Sequence, residues 1–489
     1  SRFQCSRAAG PERDVAAPMP SGPFPYRSPS PYAELNQVLG QCGKDNVFES
    51  GVTTDAPLDL GADVLSGNFS TCPKKVDLLI VGAGLSGCVI AERCSRELGM
   101  TSIIIEKRGH IGGNCYDYVT PDGIRASKYG AHLFHTKYKR VWDYVTQFSE
   151  WIPFDHRVRG RVPDKDGVKQ LVPIPPIHET VNKLFGENIQ SEDDMKAYYE
   201  KVRITPEGGV PKNGEEASLM RVGPALYEAI FKHYTKKQWD KYPEELDASV
   251  MLRLPCRTNT DERYFPDEWQ ALPLRGYTRI FENMVLNDPN ISIRVNCDFF
   301  AHKDANTLPE YGFLVYTGPI DSYFAAQGMP KLEYRSIRFE EEFVPEPDGG
   351  FFQEAMVVNY PTPDVGFTRI VEYKHVPNQT RAVLGGEVKG TLIAREYSSA
   401  EGDPYYPVPN PANQELYEKY RALAEKEEGS KVCFVGRLAS YKYFNMDQAI
   451  LNALEIYDNL KANRKLAPKR RPEDFGPGDA PKKPRAAEG

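Results

Sequence analysis

Apolar positions define the first elements of the chain. Residues 76–81 form a short, largely apolar run, long enough for one buried parallel strand, and residues 88–98 carry apolar side chains at helical spacing. A second apolar run, 102–105, ends at Glu106. Residues 130–148 read as a glycine turn followed by helical spacing, and 158–174 as two strand-like runs about a turn at 164–167, a hairpin. From 177 to 240 the period is helical, carried by Val181, Leu184 and Phe185, then Met195, Tyr198 and Val202, then Leu226, Ile230 and Tyr234. Residues 314–317 predict another buried strand, and 332–343 and 351–371 predict β structure, with clear alternation over 335–339. A last apolar strand, 431–435, ends at Gly436 before a helix over 446–460. No internal repeat is visible.

This order predicts an α/β protein: a Rossmann-like nucleotide-binding domain interleaved with a helical lobe and a twisted antiparallel β-sheet. The expected nucleotide-binding parts are 74–154, 276–320 and 411–460. Between them fall a sheet hairpin (155–175), the helical lobe (176–252), a sheet segment (253–275) and the antiparallel sheet (321–410). Residues 1–73, rich in Pro, Gly, Ser and Ala, are expected to be a poorly ordered extension, and the start at Ser1 is read as processed or truncated. Residues 461–489, which alternate Lys and Arg with Pro, are expected to be a disordered, solubilising basic tail.

The opening segment carries chemistry. Gly82, Gly84 and Gly87 stand in G-x-G-x-x-G spacing between strand and helix. The first glycine makes the tight turn, the second lets backbone approach a pyrophosphate, and the third lets the helix pack on the strand. N–H groups at the helix start favour the anion, and Glu106, about 20 residues on, can accept from a ribose diol. Lys107 and Arg108, followed by Gly112, Gly113 and Asn114, form a basic, glycine-rich loop that suits an elongated FAD better than NAD. The closing strand, Gly436 and the helix from Met446 supply the second wall, whose N–H groups would stabilise negative charge on a reduced flavin.

Composition narrows the rest. At 489 residues the chain exceeds one hydrophobic core, so two or three lobes are expected. A net charge of −7 gives no reason to expect nucleic acid, and no run approaches the ~18 apolar residues of a membrane helix. Nine cysteines without C-x-x-C pairs fit reduced thiols and a cytoplasmic location. His132 and His135 are close, but no further ligands stand at metal-binding spacing, so no metal is expected. The middle of the chain is rich in Tyr, Trp and Arg: arginine forks suit phosphate and aromatics can stack on a base. Composition alone stops at an FAD protein with a substrate of unknown class.

Seven stretches go further: GAHLFHT (130–136), HYTKKQW (233–239), VYTGPID (315–321), LEYRSIRFE (332–340), FTRIVEYKH (367–375), PYYPV (404–408) and GRLASYKYFNMDQ (436–448). Together, and in this order, they resemble the UDP-galactopyranose mutase family, in its bacterial-type branch, from about residue 76 to 460. The resemblance implies an isomerase that interconverts UDP-galactopyranose and UDP-galactofuranose, a precursor for glycoconjugates, without net redox. It also implies that the reduced FAD is the active form, with flavin N5 as the nucleophile on the anomeric carbon. Arg253 and Arg369 are then expected to meet the diphosphate, with Arg253 in a loop (250–255) that swings in on substrate binding. Phe231, Tyr234, Thr235 and Trp239, with Tyr264, match the uridine side; Tyr405 or Tyr406, and Tyr443, match tyrosines that bond the diphosphate. His135 matches a histidine beside the flavin, where it could pass a proton, and His132 lies in the same motif. Gly436, Arg437, Met446, Asp447 and Gln448 complete the flavin wall. A homodimer is expected, and an electron donor such as NAD(P)H that shares the substrate cleft, because no second glycine fingerprint is present.

One position departs from the family pattern: Asn445 stands where many bacterial members carry aspartate, so no catalytic role is assigned to it. Two other readings share the opening fingerprint. One is a flavin oxidoreductase of the amine-oxidase or desaturase kind; the other is a nucleotide-sugar-binding protein without catalysis.

Overall fold

Five short apolar runs, far apart in sequence, build one parallel sheet. In a computed structural model, which describes residues 55–252, 255–345, 350–428 and 431–463, its order is Ile291–Arg294, Ser102–Ile105, Lys75–Val81, Glu310–Tyr316, Val432–Phe434. All described residues lie in the unit spanning 46–489. Both faces of the sheet are covered, and its inner strands Ser102–Ile105 and Lys75–Val81 bury apolar residues on both sides. Leu78 and Ile80 face one core with the helix Leu85–Leu98, and Leu79 faces the other with Tyr316, Phe434 and Tyr420. The helix Leu85–Leu98 ends at Gly99, in the left-handed region, and packs against the last helix, Met446–Asn463, and against Tyr277–Val285. The domain opened at the glycine turn is therefore closed by the last described residues.

A seven-stranded sheet stands beside it, in the order Tyr406–Pro407, Tyr334–Pro345, Gly390–Ser399, Arg369–Glu372, Val357–Asn359, Val158–Pro163, Lys169–Ile174. Its pairs are antiparallel except Val357–Asn359 with Val158–Pro163, which run parallel. Trp269–Pro273 does not join this sheet: it pairs with Phe134–Thr136 and Trp151–Pro153 in a small separate one. The lobe contains helices His178–Phe185, Glu192–Val202 and Gly214–Leu226, then a π-helical turn, Tyr227–Lys232, that runs into His233–Trp239.

Residues 55–73, expected in the poorly ordered extension, instead pack on the α/β domain and include a helix, Gly61–Leu65. Apolar contacts and charge both hold this segment: Leu60 and Val64 pack on one core, and Phe69 and Cys72 on the other. Glu282 and Arg294 are buried and need partners. Leu58 N–H donates to Glu282 (2.6 Å), while Arg294 donates to the Asn68 carbonyl (2.7 Å) and pairs with Asp63 (3.1 Å). The rest of the expected extension, the basic tail beyond 463 and Arg253 lie outside the described residues.

Candidate dinucleotide and diphosphate site

The glycine turn sits at the carboxyl end of the central strand, where parallel sheets bind ligands. Gly82 takes φ +107°, a conformation that favours glycine. The first helical bond runs from Cys88 N–H to the Gly84 carbonyl, so the N–H groups of residues 85–87 precede it and form an anion-attracting end. Gly113, at φ +56°, faces Gly84 so closely that a Cβ on it would lie 2.9 Å from Gly84 Cα. The buried carboxylate of Glu106 accepts from Ala83 N–H (3.1 Å) and Arg108 N–H (3.0 Å), which ties the acid to the turn. Arg108 donates to Asn114 Oδ1 (2.9 Å) and Asp403 (2.8 Å) and lies over Tyr129, while Lys107 pairs with Asp403 (3.3 Å). Gly436 backs onto Ser86 in the first turn of that helix, so the closing loop meets the glycine turn. Two glycine backbones in near contact, an acid beside them and a helix N-terminus fit an elongated dinucleotide.

A second cluster gathers where lobe, sheet and closing loop meet. Arg369, the first residue of its strand, donates from Nε to Glu396 (2.6 Å). Tyr406 and Tyr443 stack at 4.8 Å, and the Arg437 guanidinium lies 5.4 Å from each ring. Arg437 is itself fixed by the Phe444 carbonyl (2.6 Å) and the Tyr405 carbonyl (3.3 Å). Trp239 meets Tyr406 and Tyr443 edgewise or at a tilt. Tyr234 lies within electrostatic reach of Arg369, Tyr264 and Tyr443, and Tyr406 within reach of Arg369 and Glu396. Burial pushes the Tyr234 and Tyr406 phenols well up, so both stay neutral hydrogen-bond donors. Cationic forks beside neutral phenols make a surface that can hold a diphosphate.

Histidines connect the two clusters. His135 is buried, stacks on Phe265 (3.6 Å between centroids) and bonds Asp267 through Nδ1. Asp447, in the first turn of the closing helix, is 4% exposed; burial raises its carboxyl to about 6, against the opposing charge of His135 and a bond from Thr136. Burial lowers His156 to about 3, with Arg369 and His135 adding to it. His132 is lowered to about 4 by burial, against its bond to the Gly130 carbonyl (2.8 Å) and with Arg437 and Arg369 adding. Both stay neutral near pH 7.

Not every expected residue joins a cluster. Thr235 points its hydroxyl to Met251 Sδ (3.6 Å) and Phe231 packs in the lobe core. Tyr405 is buried on the nucleotide side, near Tyr129 and Phe339, whereas its neighbour Tyr406 faces the arginines. Tyr264 meets Phe265 edge-on and His156 at a tilt. Met446 and Gln448 open the closing helix, where Gln448 Oε1 accepts from Asn445 N–H (3.0 Å). Glu396, Asp267 and Lys237 were not anticipated. Lys237 stands in the stretch HYTKKQW, and Glu396 left a trace of its own, since it continues the apolar face of Leu392 and Ala394 on its strand, where a charge needs a partner. Among the described residues no group of three or more His, Cys, Asp or Glu could hold a metal, and no helix is long and apolar enough to cross a membrane.

Residues 229–443 match the model of the UDP-galactopyranose mutase family, and 80–148 match the NAD(P)-binding Rossmann-like domain. A protein of Klebsiella pneumoniae named "Probable UDP-galactopyranose mutase" is 38% identical over 393 residues, covering 78% of this chain and 94% of its own. An Escherichia coli dTDP-fucopyranose mutase is 34% identical over 395 residues, covering 79% and 99%. The crystal structure of a reduced UDP-galactopyranose mutase superposes with a TM-score of 0.61 at 16% identity, over 82% of this chain and 96% of that one, a likeness of fold.

Proposed function

The chain belongs to the UDP-galactopyranose mutase family of isomerases, and on that premise we propose that it interconverts UDP-galactopyranose and UDP-galactofuranose without net redox, supplying galactofuranose for glycoconjugates. The observation that carries the reading is Arg369, oriented by Glu396 and set among Tyr234, Tyr406 and Tyr443. A diphosphate that leaves the sugar and must return to it needs its charge met without being released. Arg369 meets the charge, and the neutral phenols of Tyr234 and Tyr406 donate to its oxygens. Arg437 supports the Tyr406–Tyr443 stack from behind.

The glycine turn, Glu106, Gly113 and the closing helix would hold FAD, whose reduced N5 supplies the nucleophile for the anomeric carbon when bound. His135 has its Nδ1 occupied by Asp267, which leaves Nε2 as the ring atom that can take or give a proton. Buried Asp447 adds a carboxyl with a pKa near 6 beside it. A cytoplasmic homodimer reduced by NAD(P)H completes the proposal.

The Escherichia coli relative supports a second reading, a dTDP-sugar substrate. Incubation with UDP-galactopyranose and, separately, dTDP-fucopyranose, with and without anaerobic dithionite, decides between them once the nucleotide sugars are separated. Furanose from the UDP sugar only after reduction is expected. Furanose from the dTDP sugar alone would move the assignment, and bound UDP without turnover would make the chain a binding protein.

A further inference from the structure

The helix His233–Trp239 and the loop 360–367 meet at one ammonium group. Lys237 Nζ donates to the carbonyl oxygens of Thr362 (2.9 Å), Val365 (3.2 Å) and Phe367 (2.9 Å), and to that of Tyr360. Four carbonyl dipoles from one loop converge on a group with three protons, so the bonds are shared around it. Loop carbonyls normally find water or a backbone N–H; these are turned inward, and their mutual repulsion is met by the cation.

The loop connects Val357–Asn359 to Arg369–Glu372. It is closed by Tyr360 N–H on the Thr368 carbonyl (2.9 Å). Thr368 in turn donates its N–H (2.8 Å) and hydroxyl (3.1 Å) to the carbonyl of Glu396, the residue whose carboxylate orients Arg369. On the helix side, Tyr234 stands one turn before Lys237. The next carbonyl, that of Gln238, accepts from Ser398 Oγ (2.5 Å) and Arg335 Nε (3.3 Å) of the sheet. Asp364, the loop's own carboxylate, pairs with Lys169 and accepts from the Thr362 hydroxyl, so it is engaged elsewhere.

We propose that Lys237 is a positioning residue: its ammonium is the fixed centre of a carbonyl ring that sets Arg369 of the sheet against Tyr234 of the lobe, and a potassium or ammonium ion can occupy that ring in its absence. Carbonyl oxygens can replace the hydration shell of potassium, which gives the second half of the proposal its chemistry. The functional half rests on the diphosphate role of Arg369 given above; the loop half does not.

The test is Lys237→Ala in the full chain, compared in chlorides of potassium, ammonium, lithium and tetramethylammonium at equal ionic strength. Two quantities are read: hydrogen exchange at the Tyr360 and Thr368 amides, and UDP affinity by calorimetry. Exchange at both amides is expected to rise and UDP binding to weaken about tenfold. Potassium or ammonium should restore both, lithium and tetramethylammonium neither, with the wild type indifferent to the cation. Unchanged exchange in Lys237→Ala, or recovery that is equal in all four salts, overturns the proposal. Lys237→Met keeps the length without the charge and serves if the alanine variant does not fold: protection of Tyr360 and Thr368 equal to wild type would overturn it. If wild type binds no UDP, the diphosphate reading fails while the exchange result still decides the ring.

Discussion

Arg369 and Glu396 form an ion pair at 2.6 Å in which the carboxylate side chain is 2% exposed and the guanidinium 27%. Glu396 orients the Arg369 guanidinium, and without it the fork is free to swing away from a bound diphosphate. Glu396→Ala should therefore lower kcat/KM for UDP-galactopyranose about 100-fold. Glu396→Gln, which can still accept the bond from Nε, should recover part of that loss. Steady-state kinetics on the two variants, with melting temperatures to account for folding, check this.

Tyr405 and Tyr406 are neighbours with opposite surroundings. Tyr406→Phe removes a donor beside Arg369 and should weaken UDP binding by about 1.5 kcal/mol, roughly tenfold. Tyr405→Phe should leave UDP affinity unchanged. Calorimetric titration of UDP into both variants separates them.

Protons should act on stability in two directions. His132 and His156 stay neutral when folded until about pH 4 and 3, whereas unfolded histidines take up protons below about 6.5. In that window the unfolded state binds more protons, and each histidine lowers stability by up to about 1.4 kcal/mol per unit fall in pH. Asp447, raised from 3.8 to about 6, works the other way: between those values the folded state binds the proton, so stability rises as pH falls. Two groups outweigh one, and stability should fall from pH 6.5 towards 4. His156→Asn should flatten that fall. Asp447→Asn should add up to about 3 kcal/mol above pH 6 and nothing below 4. Urea titrations of the flavin-free protein across this range measure both.

Gly113→Ala puts a Cβ 2.9 Å from Gly84 Cα at a φ of +56°. One of the two backbones must withdraw, and the dinucleotide turn opens. The variant should purify with little or no flavin, read from visible absorbance per mole of protein, while its far-ultraviolet circular dichroism stays that of the wild type.

The nucleotide-binding turn could be read from sequence because everything it needs is local: a strand, three glycines, a helix and Glu106 within one short stretch. The substrate side could not be read in the same way. Lys237 meets its carbonyls, Asp267 meets His135 and Glu396 meets Arg369 only through the fold, and nothing near each residue marks the partner. The choice between Tyr405 and Tyr406 was open for a different reason. Consecutive strand residues face opposite ways, and the phase of a two-residue strand, Tyr406–Pro407, is set by its pairing with Arg335 and Tyr334 rather than by its own pattern. The parallel pairing of Val357–Asn359 with Val158–Pro163 was hidden likewise, since alternation reports burial and not strand direction.

The glycine turn and the wall that backs onto it, Gly87 and Gly436, are separated by about 350 residues, so at a ribosomal rate of roughly 5–20 residues per second the turn emerges about 20–70 seconds before its counterpart. During that interval the central strands lack the neighbour at Val432–Phe434, and the helix Leu85–Leu98 lacks the cover of Met446–Asn463. A nascent chain thus carries one open sheet edge at Glu310–Tyr316 and one uncovered helix face, although Tyr277–Val285 already packs on the same helix. A chain that ends before the final helix is therefore expected to lack the wall that backs onto the glycine turn, however complete its lobe and sheet.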